Sequence, residues 1–203
     1  MHIGVCTGHR YPTVHIAHYD EIISLSKHTA DAFGIQNGPF YFQLLYGADG
    51  PVAGELACRV GGAFEDVTID RLFAFPILDA AIDLALGMTP PDPPVLSQTV
   101  LQKKRAFVLL LFCRPGVITD ITGKQDLLSL PFVADCGYNY SIGDGIPVMQ
   151  NATARFGHAV LFGTSGTIGA NVRSFLDTLH VNGPDGCDLL LRSSVIENRY
   201  LEE

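Results

Sequence analysis

The stretch Met88-Thr-Pro-Pro-Asp-Pro-Pro94 places four prolines in seven residues. Such a run can continue neither a helix nor a central strand, because each proline lacks an N–H and fixes φ. It marks a linker between a part over 1–90 and a part over 91–203. With 203 residues, 47% hydrophobic and 17% charged, the chain has apolar material for two small cores, and the composition argues against disorder.

Periodicity and turn residues give the expected elements on either side. The first part reads as a strand over His2–Cys6, an irregular His-rich loop, a helix over Asp20–Phe33, a hairpin of Phe40–Tyr46 and Val52–Ala57, and a helix over Pro76–Leu86 ending at Gly87. The second reads as strands at Ala106–Cys113 and Val117–Ile121 around Arg114-Pro-Gly116, and a short helix at Lys124–Ser129. Strands at Val133–Ser141 and Ala154–Phe162, a helix at Thr167–His180 and a strand at Asp188–Arg192 follow. The fold class expected is α+β.

Charge and cysteine content narrow the partners. A formal net charge of −8, with no basic run longer than Lys103-Lys104-Arg105, argues against a nucleic-acid-binding surface. Five cysteines without CxxC spacing, an odd number, read as reduced packing thiols of a cytoplasmic protein. The most apolar run, Ala106–Cys113, is far short of the roughly 20 residues of a membrane span. No basic segment followed by an apolar core opens the chain, so a soluble, unexported protein is expected.

The most informative stretch runs from Asn37 to Gly62. A three-residue loop Ala48-Asp49-Gly50, with Gly50 supplying a positive φ, pairs Gly47 with Pro51 and so sets Gln43 opposite Glu55 and Leu45 opposite Ala53 on one face. Phe42, Leu44, Tyr46, Val52 and Leu56 then form the core face. A carboxylate beside a carboxamide oxygen suits Mg²⁺, which takes one or two protein oxygens and completes its shell with phosphate and water. A half-exposed hairpin that happens to carry two polar residues gives the same pattern.

Gln43, a short hairpin, Glu55 twelve positions later, Arg59 and the pair Gly61-Gly62 together resemble the ATP-grasp superfamily, which includes biotin carboxylase, carbamoyl phosphate synthetase and the carboxylate–amine ligases. The helix before Gly34-Ile-Gln-Asn-Gly-Pro39 and the stretch Arg71–Asp79 through Leu86-Gly87 are similar to the flanks of that motif. The fold implied is the C-terminal half of an ATP-grasp domain, an antiparallel sheet with helices over 1–90, followed by a small α+β domain over 91–203. Arg105–Gly123 and Gly143-Asp-Gly-Ile-Pro147 resemble the C-terminal domain of carboxylate–amine ligases.

The resemblance implies ATP with Mg²⁺, or Mn²⁺ in its place. Gln43 and Glu55 would be metal and cofactor ligands, Leu45 would pack on adenine, and Arg59 would be the catalytic cation at the acyl phosphate or its attacking group. The family's second strand reads Glu-x-Asn-x-Arg, whereas Glu55-Leu-Ala57-Cys-Arg59 has a methyl group where an amide ligand would stand. The activity implied is part of an ATP-dependent ligase that makes an acyl phosphate from a small carboxylate and transfers it to an amine. The lysines and glycine-rich loop of the family are expected from an N-terminal ATP-grasp segment, in cis or on a partner chain, and the chain by itself is expected to be inactive. An apolar surface where that segment docks would also favour a homodimer. A bicarbonate-using enzyme like biotin carboxylase or carbamoyl phosphate synthetase is one alternative, and a non-catalytic interaction domain is another.

Three further features have simpler readings beside functional ones. His9 or Arg10 would touch phosphate or ribose by the same resemblance. His15 and His18 have i, i+3 spacing, but the surrounding residues do not read as helix, and no third ligand sits at zinc-like spacing. Gly163-Thr-Ser-Gly-Thr-Ile-Gly169 imitates a phosphate loop but lacks the lysine one requires, so Ser165 or Thr167 reads as a helix cap.

Overall fold

The computed structural model of the protein describes residues 5–94 and 103–192. The chain separates into two compact units, one over Pro12–Leu96 and one made of Met1–Tyr11 with Ser97–Glu203. The expected strand over His2–Cys6 lies partly outside the described residues, and Cys6 itself is not in a strand. A strand is described at β1 (Gly8–Tyr11), inside what the sequence presents as an irregular loop.

In the Pro12–Leu96 unit, a 3-10 turn at Ile16–His18 runs directly into helix α1 (Tyr19–Ala32). Contrary to expectation, His15 and His18 therefore do lie in a helical entry, where both rings meet Tyr46, with centroids 4.5 and 4.7 Å away. Strands β2 (Tyr41–Gly47) and β3 (Gly50–Ala57) form the hairpin. Helix α2 (Glu65–Phe73), absent from the expected elements, follows. Its N-cap residue, Phe64, is a left-handed non-glycine residue with no side-chain cap, so no capping signature announces it. Helix α3 (Ile77–Ala85) closes the unit and stops at Gly87, whose φ of 73° is the left-handed helix end foreseen there.

In the other unit β1 pairs antiparallel with β4 (Arg105–Leu111), β4 with β9 (Gly157–Gly163), and β9 with β7 (Val133–Tyr138), giving the order β1-β4-β9-β7. The uninterrupted apolar run of β4 reflects its interior place in the sheet, where Leu109, Leu110 and Leu111 are all buried. No Cβ fits at Gly157, because one would lie 2.3 Å from the Gly137 carbonyl oxygen on the neighbouring strand. The expected strand Val117–Ile121 is two short pieces: β5 (Gly116–Val117) pairs with β8 (Gly145–Ile146), and β6 (Asp120–Ile121) with β10 (Val181–Asn182). Over Asp188–Arg192 only single bridges form, Cys113 to Leu190 and Asn182 to Asp188.

Two helices complete this unit, α4 (Lys124–Leu128) and α5 (Ile168–Thr178). Ile168, Val172, Phe175 and Leu176 form the buried face of α5 and join Leu109, Leu111 and Phe156 in one core. Thr167 occupies the N-cap position but makes no cap bond. Its Oγ1 accepts from the N–H of Thr164, 2.9 Å behind it.

Candidate functional site

Gln43 and Glu55 are directly paired across the hairpin, as the sequence reading has them. The register beyond them differs. Leu45 faces Val52 rather than Ala53, Leu44 faces Ala53, and Gly47 faces Gly50. The tip is thus the two residues Ala48-Asp49, with Gly50 at a φ of 96°. The residue saved at the tip reappears as a bulge between Gln43 and Leu44 on the partner strand, where Gly54 is extra. A Cβ on Gly54 would lie 3.2 Å from the Gln43 carbonyl oxygen, which favours glycine at the bulge.

The corrected register moves Val52 from the core face to the open one. Leu45 is 68% exposed and Val52 59% exposed, an apolar pair standing together on the outer face. Gln43 and Glu55 are exposed on the same ribbon, whereas Phe42, Leu44 and Tyr46 are half-buried. The inner face is held by Tyr46, whose hydroxyl donates to Glu21 Oε2 at 2.8 Å, linking the hairpin to α1.

Around the Gln43–Glu55 pair the side chains form a small cluster. Arg59 Nη2 stands 4.0 Å from Glu55 Oε1, and its guanidinium carbon lies 5.4 Å from the centroid of the Tyr41 ring. The Tyr41 hydroxyl donates to Gln43 Oε1 over a long 3.4 Å. Ala57 is directly opposite Tyr41. Beyond β3, the Glu65 carboxylate turns back to accept from the Ala63 N–H at 2.7 Å, fixing the Gly61-Gly62 turn. The donor set suits a hard divalent cation with open coordination positions, since one carboxylate and one amide oxygen leave most of an octahedron for phosphate and water. No group of three His, Cys, Asp or Glu side chains that could hold a metal ion occurs among the described residues.

A second polar constellation is structural. Thr122, His180 and Asp120 form a hydroxyl–imidazole–carboxylate series at 2.7 and 3.1 Å. Thr122 is buried and its oxygen also accepts the His180 N–H, which suits a pin between β6 and β10 rather than a nucleophile. An apolar cleft of about 500 Å³ lies between the 35–40 segment, α3 and the prolines at 90, 91 and 93, and no charged side chain lines it. It is unsuited to phosphates. His9 and Arg10 sit on β1, in the unit that does not contain the hairpin. No helix among the described residues is long and apolar enough to cross a membrane.

Set against known proteins, the fold has counterparts. Phosphoribosylglycinamide synthetase from Anaerococcus prevotii superposes with a TM-score of 0.73 at 13% identity, over 90% of this chain and 47% of its own. An L-amino acid ligase from Bacillus licheniformis gives 0.70 at 17% identity, over 88% and 44%. The fold is that of the C-terminal portion of an ATP-grasp ligase, an α+β fold of antiparallel sheet and helices. More particularly, residues 108–182 match the L-amino acid ligase C-terminal domain 2. An L-arginine-specific L-amino acid ligase of Bacillus subtilis is 25% identical over 136 residues, which is 66% of this chain and 32% of that protein. The chain therefore spans about a third of the curated relative and less than half of the two solved structures.

Proposed function

We propose that this chain forms one wall of the nucleotide site of an ATP-dependent carbon–nitrogen ligase, with the Pro12–Leu96 unit belonging to the ATP-grasp domain and the other unit forming its small C-terminal α+β domain. The observation that carries the reading is the facing pair Gln43 and Glu55 on an open strand face, with Arg59 beside Glu55. Gln43 and Glu55 would hold Mg²⁺ or Mn²⁺, and the ion would neutralise charge on the nucleotide phosphates. Leu45 and Val52 offer an apolar platform for the adenine. Arg59 would meet anionic oxygens as a carboxylate oxygen attacks the γ-phosphorus, releasing ADP and leaving an acyl phosphate. The amine then attacks the acyl carbon, forming the amide and releasing phosphate. The names of the relatives point to amino acids as the joined substrates, and the match over 108–182 favours this over bicarbonate chemistry.

The lysines and glycine-rich loop that face the other side of the nucleotide would come from a further ATP-grasp segment, in cis or on a partner chain. Titration of Mg-ATP into the chain alone and into its mixture with a complementary N-terminal segment tests this. Binding that appears in the mixture and disappears with Glu55→Ala supports the ligase reading; binding indifferent to Glu55→Ala sinks it. Ala57 favours a second reading, a domain that keeps the shape for association without catalysis. Nucleotide binding without phosphate release in the same mixture, with every amino acid offered, would support that one.

A further inference from the structure

We propose that Tyr41 is a positioning residue of this site, orienting Gln43 through its hydroxyl and Arg59 through its ring; the proposal rests on the ligase reading above. Tyr41 and Gln43 lie two residues apart on β2 and so share a face, and Ala57 and Glu55 do the same on β3. With Tyr41 opposite Ala57 and Gln43 opposite Glu55, the four positions form a square on the outer face of the hairpin. Three of its corners carry polar groups and the fourth a methyl.

Tyr41 touches both functional ends of that square. A carboxamide oxygen has two lone pairs, so Gln43 Oε1 can accept from the phenol 3.4 Å away and still offer the second pair to a cation. Without the phenol the amide is free to rotate or to present its NH₂ group, which repels a metal. The Tyr41 ring lies 5.4 Å from the Arg59 guanidinium carbon, within reach of a cation–π attraction. Among the described residues, Arg59 is otherwise steered by Glu55 at 4.0 Å and by its own donation to the Val60 carbonyl at 3.1 Å. Residue 57, a methyl, offers the Gln43 amide no hydrogen bond, and the hydroxyl of Tyr41 takes that task. Groups that orient a metal ligand in this way are worth a measurable part of metal affinity.

The test uses the full chain mixed with its complementary ATP-grasp segment and follows free Mn²⁺ by electron paramagnetic resonance in the presence of ATP. Tyr41→Phe keeps the ring and removes the hydroxyl. It should weaken Mn²⁺ about two- to tenfold, the effect of one net hydrogen bond, with an unchanged melting temperature and an unchanged KM for the carboxylate. Tyr41→Leu should add a fall in kcat, because Arg59 loses its support. Wild-type affinity in Tyr41→Phe, with Glu55→Ala still abolishing binding, overturns the role of Tyr41 and leaves the ligase reading standing. So does weakened binding that tracks a lower melting temperature. Binding insensitive to Glu55→Ala overturns both.

Discussion

At Cys6 the thiol stands 3.6 Å from His9 Nε2, and β1 pairing fixes that imidazole opposite Val108. His9 draws the Cys6 thiol below its ordinary pKa, burial opposes the shift, and the positive charge of Arg155 adds to the lowering. Burial pushes the Cys113 thiol up to about 12. Only the thiolate attacks an alkylating agent, so a lowered pKa means faster reaction at neutral pH. With iodoacetamide at pH 7 and peptide mapping, Cys6 should be modified first and Cys113 last. His9→Ala should move the Cys6 rate profile to higher pH, and a profile that does not move would show that the pairing has no effect on the thiol. For Arg59, replacement by Lys keeps the charge but loses the planar fork and most of the stacking on Tyr41. A fall in kcat of about tenfold or more with Mn²⁺ affinity unchanged is the expected split, measured on the reconstituted enzyme.

The hairpin is the element on which the proposed chemistry turns, and its bulge is what aligns the pair. If the two-residue tip ran unbroken to the base, Gly54 would face Gln43 and the positions of β3 from Glu55 onward would shift by one against β2. Gly54→Ala should therefore press on the Gln43 carbonyl, cost about 1 kcal/mol by overpacking, and reduce Mn²⁺ affinity by more than that stability loss explains. Thermal melts beside Mn²⁺ titrations separate the two effects. Much of this element was legible in the sequence: the two strands, the Gln43–Glu55 pair and the exposure of Leu45 all follow from alternation and one turn. Val52 was misplaced because a three-residue loop without a bulge and a two-residue loop with one pair Gln43 with Glu55 equally well. Only the glycine at 54 hints at the second. Helix α2 escaped because its start at Phe64 has neither a polar cap nor a proline. β1 escaped because Gly8–Tyr11 is short and polar, and it becomes a strand only by adding to the edge of β4.

Burial is distributed very unevenly over the whole molecule. Among the described residues, the Pro12–Leu96 unit buries little apolar material beyond Pro12, Leu72 and Ala80, and the other buried apolar side chains belong to the unit with the four-stranded sheet. Phe175 and Phe156, both fully buried, anchor that second core, and Phe175→Ala should cost about 3–5 kcal/mol as the cavity it leaves fails to collapse. The unit that carries Gln43, Glu55 and Arg59 has little of this reserve. Its α3 exposes Leu78 and Ile82 at 50% each, so even its most apolar helix spends hydrophobic surface on solvent. Local opening free energy follows buried apolar contact, which gives a direct expectation for hydrogen exchange. Amides of β2, β3 and α3 should exchange through low-energy openings, whereas those of β4, β9 and α5 should approach the limit set by global unfolding. A ligand that binds only the closed form adds RT ln(1 + [L]/Kd), about 2.7 kcal/mol at a hundredfold excess over Kd. Mg-ATP at that excess, with the complementary segment present, should thus slow exchange in β2 and β3 about a hundredfold and leave β4 and β9 unchanged. Protection spread evenly over both units would place the nucleotide elsewhere than on the hairpin.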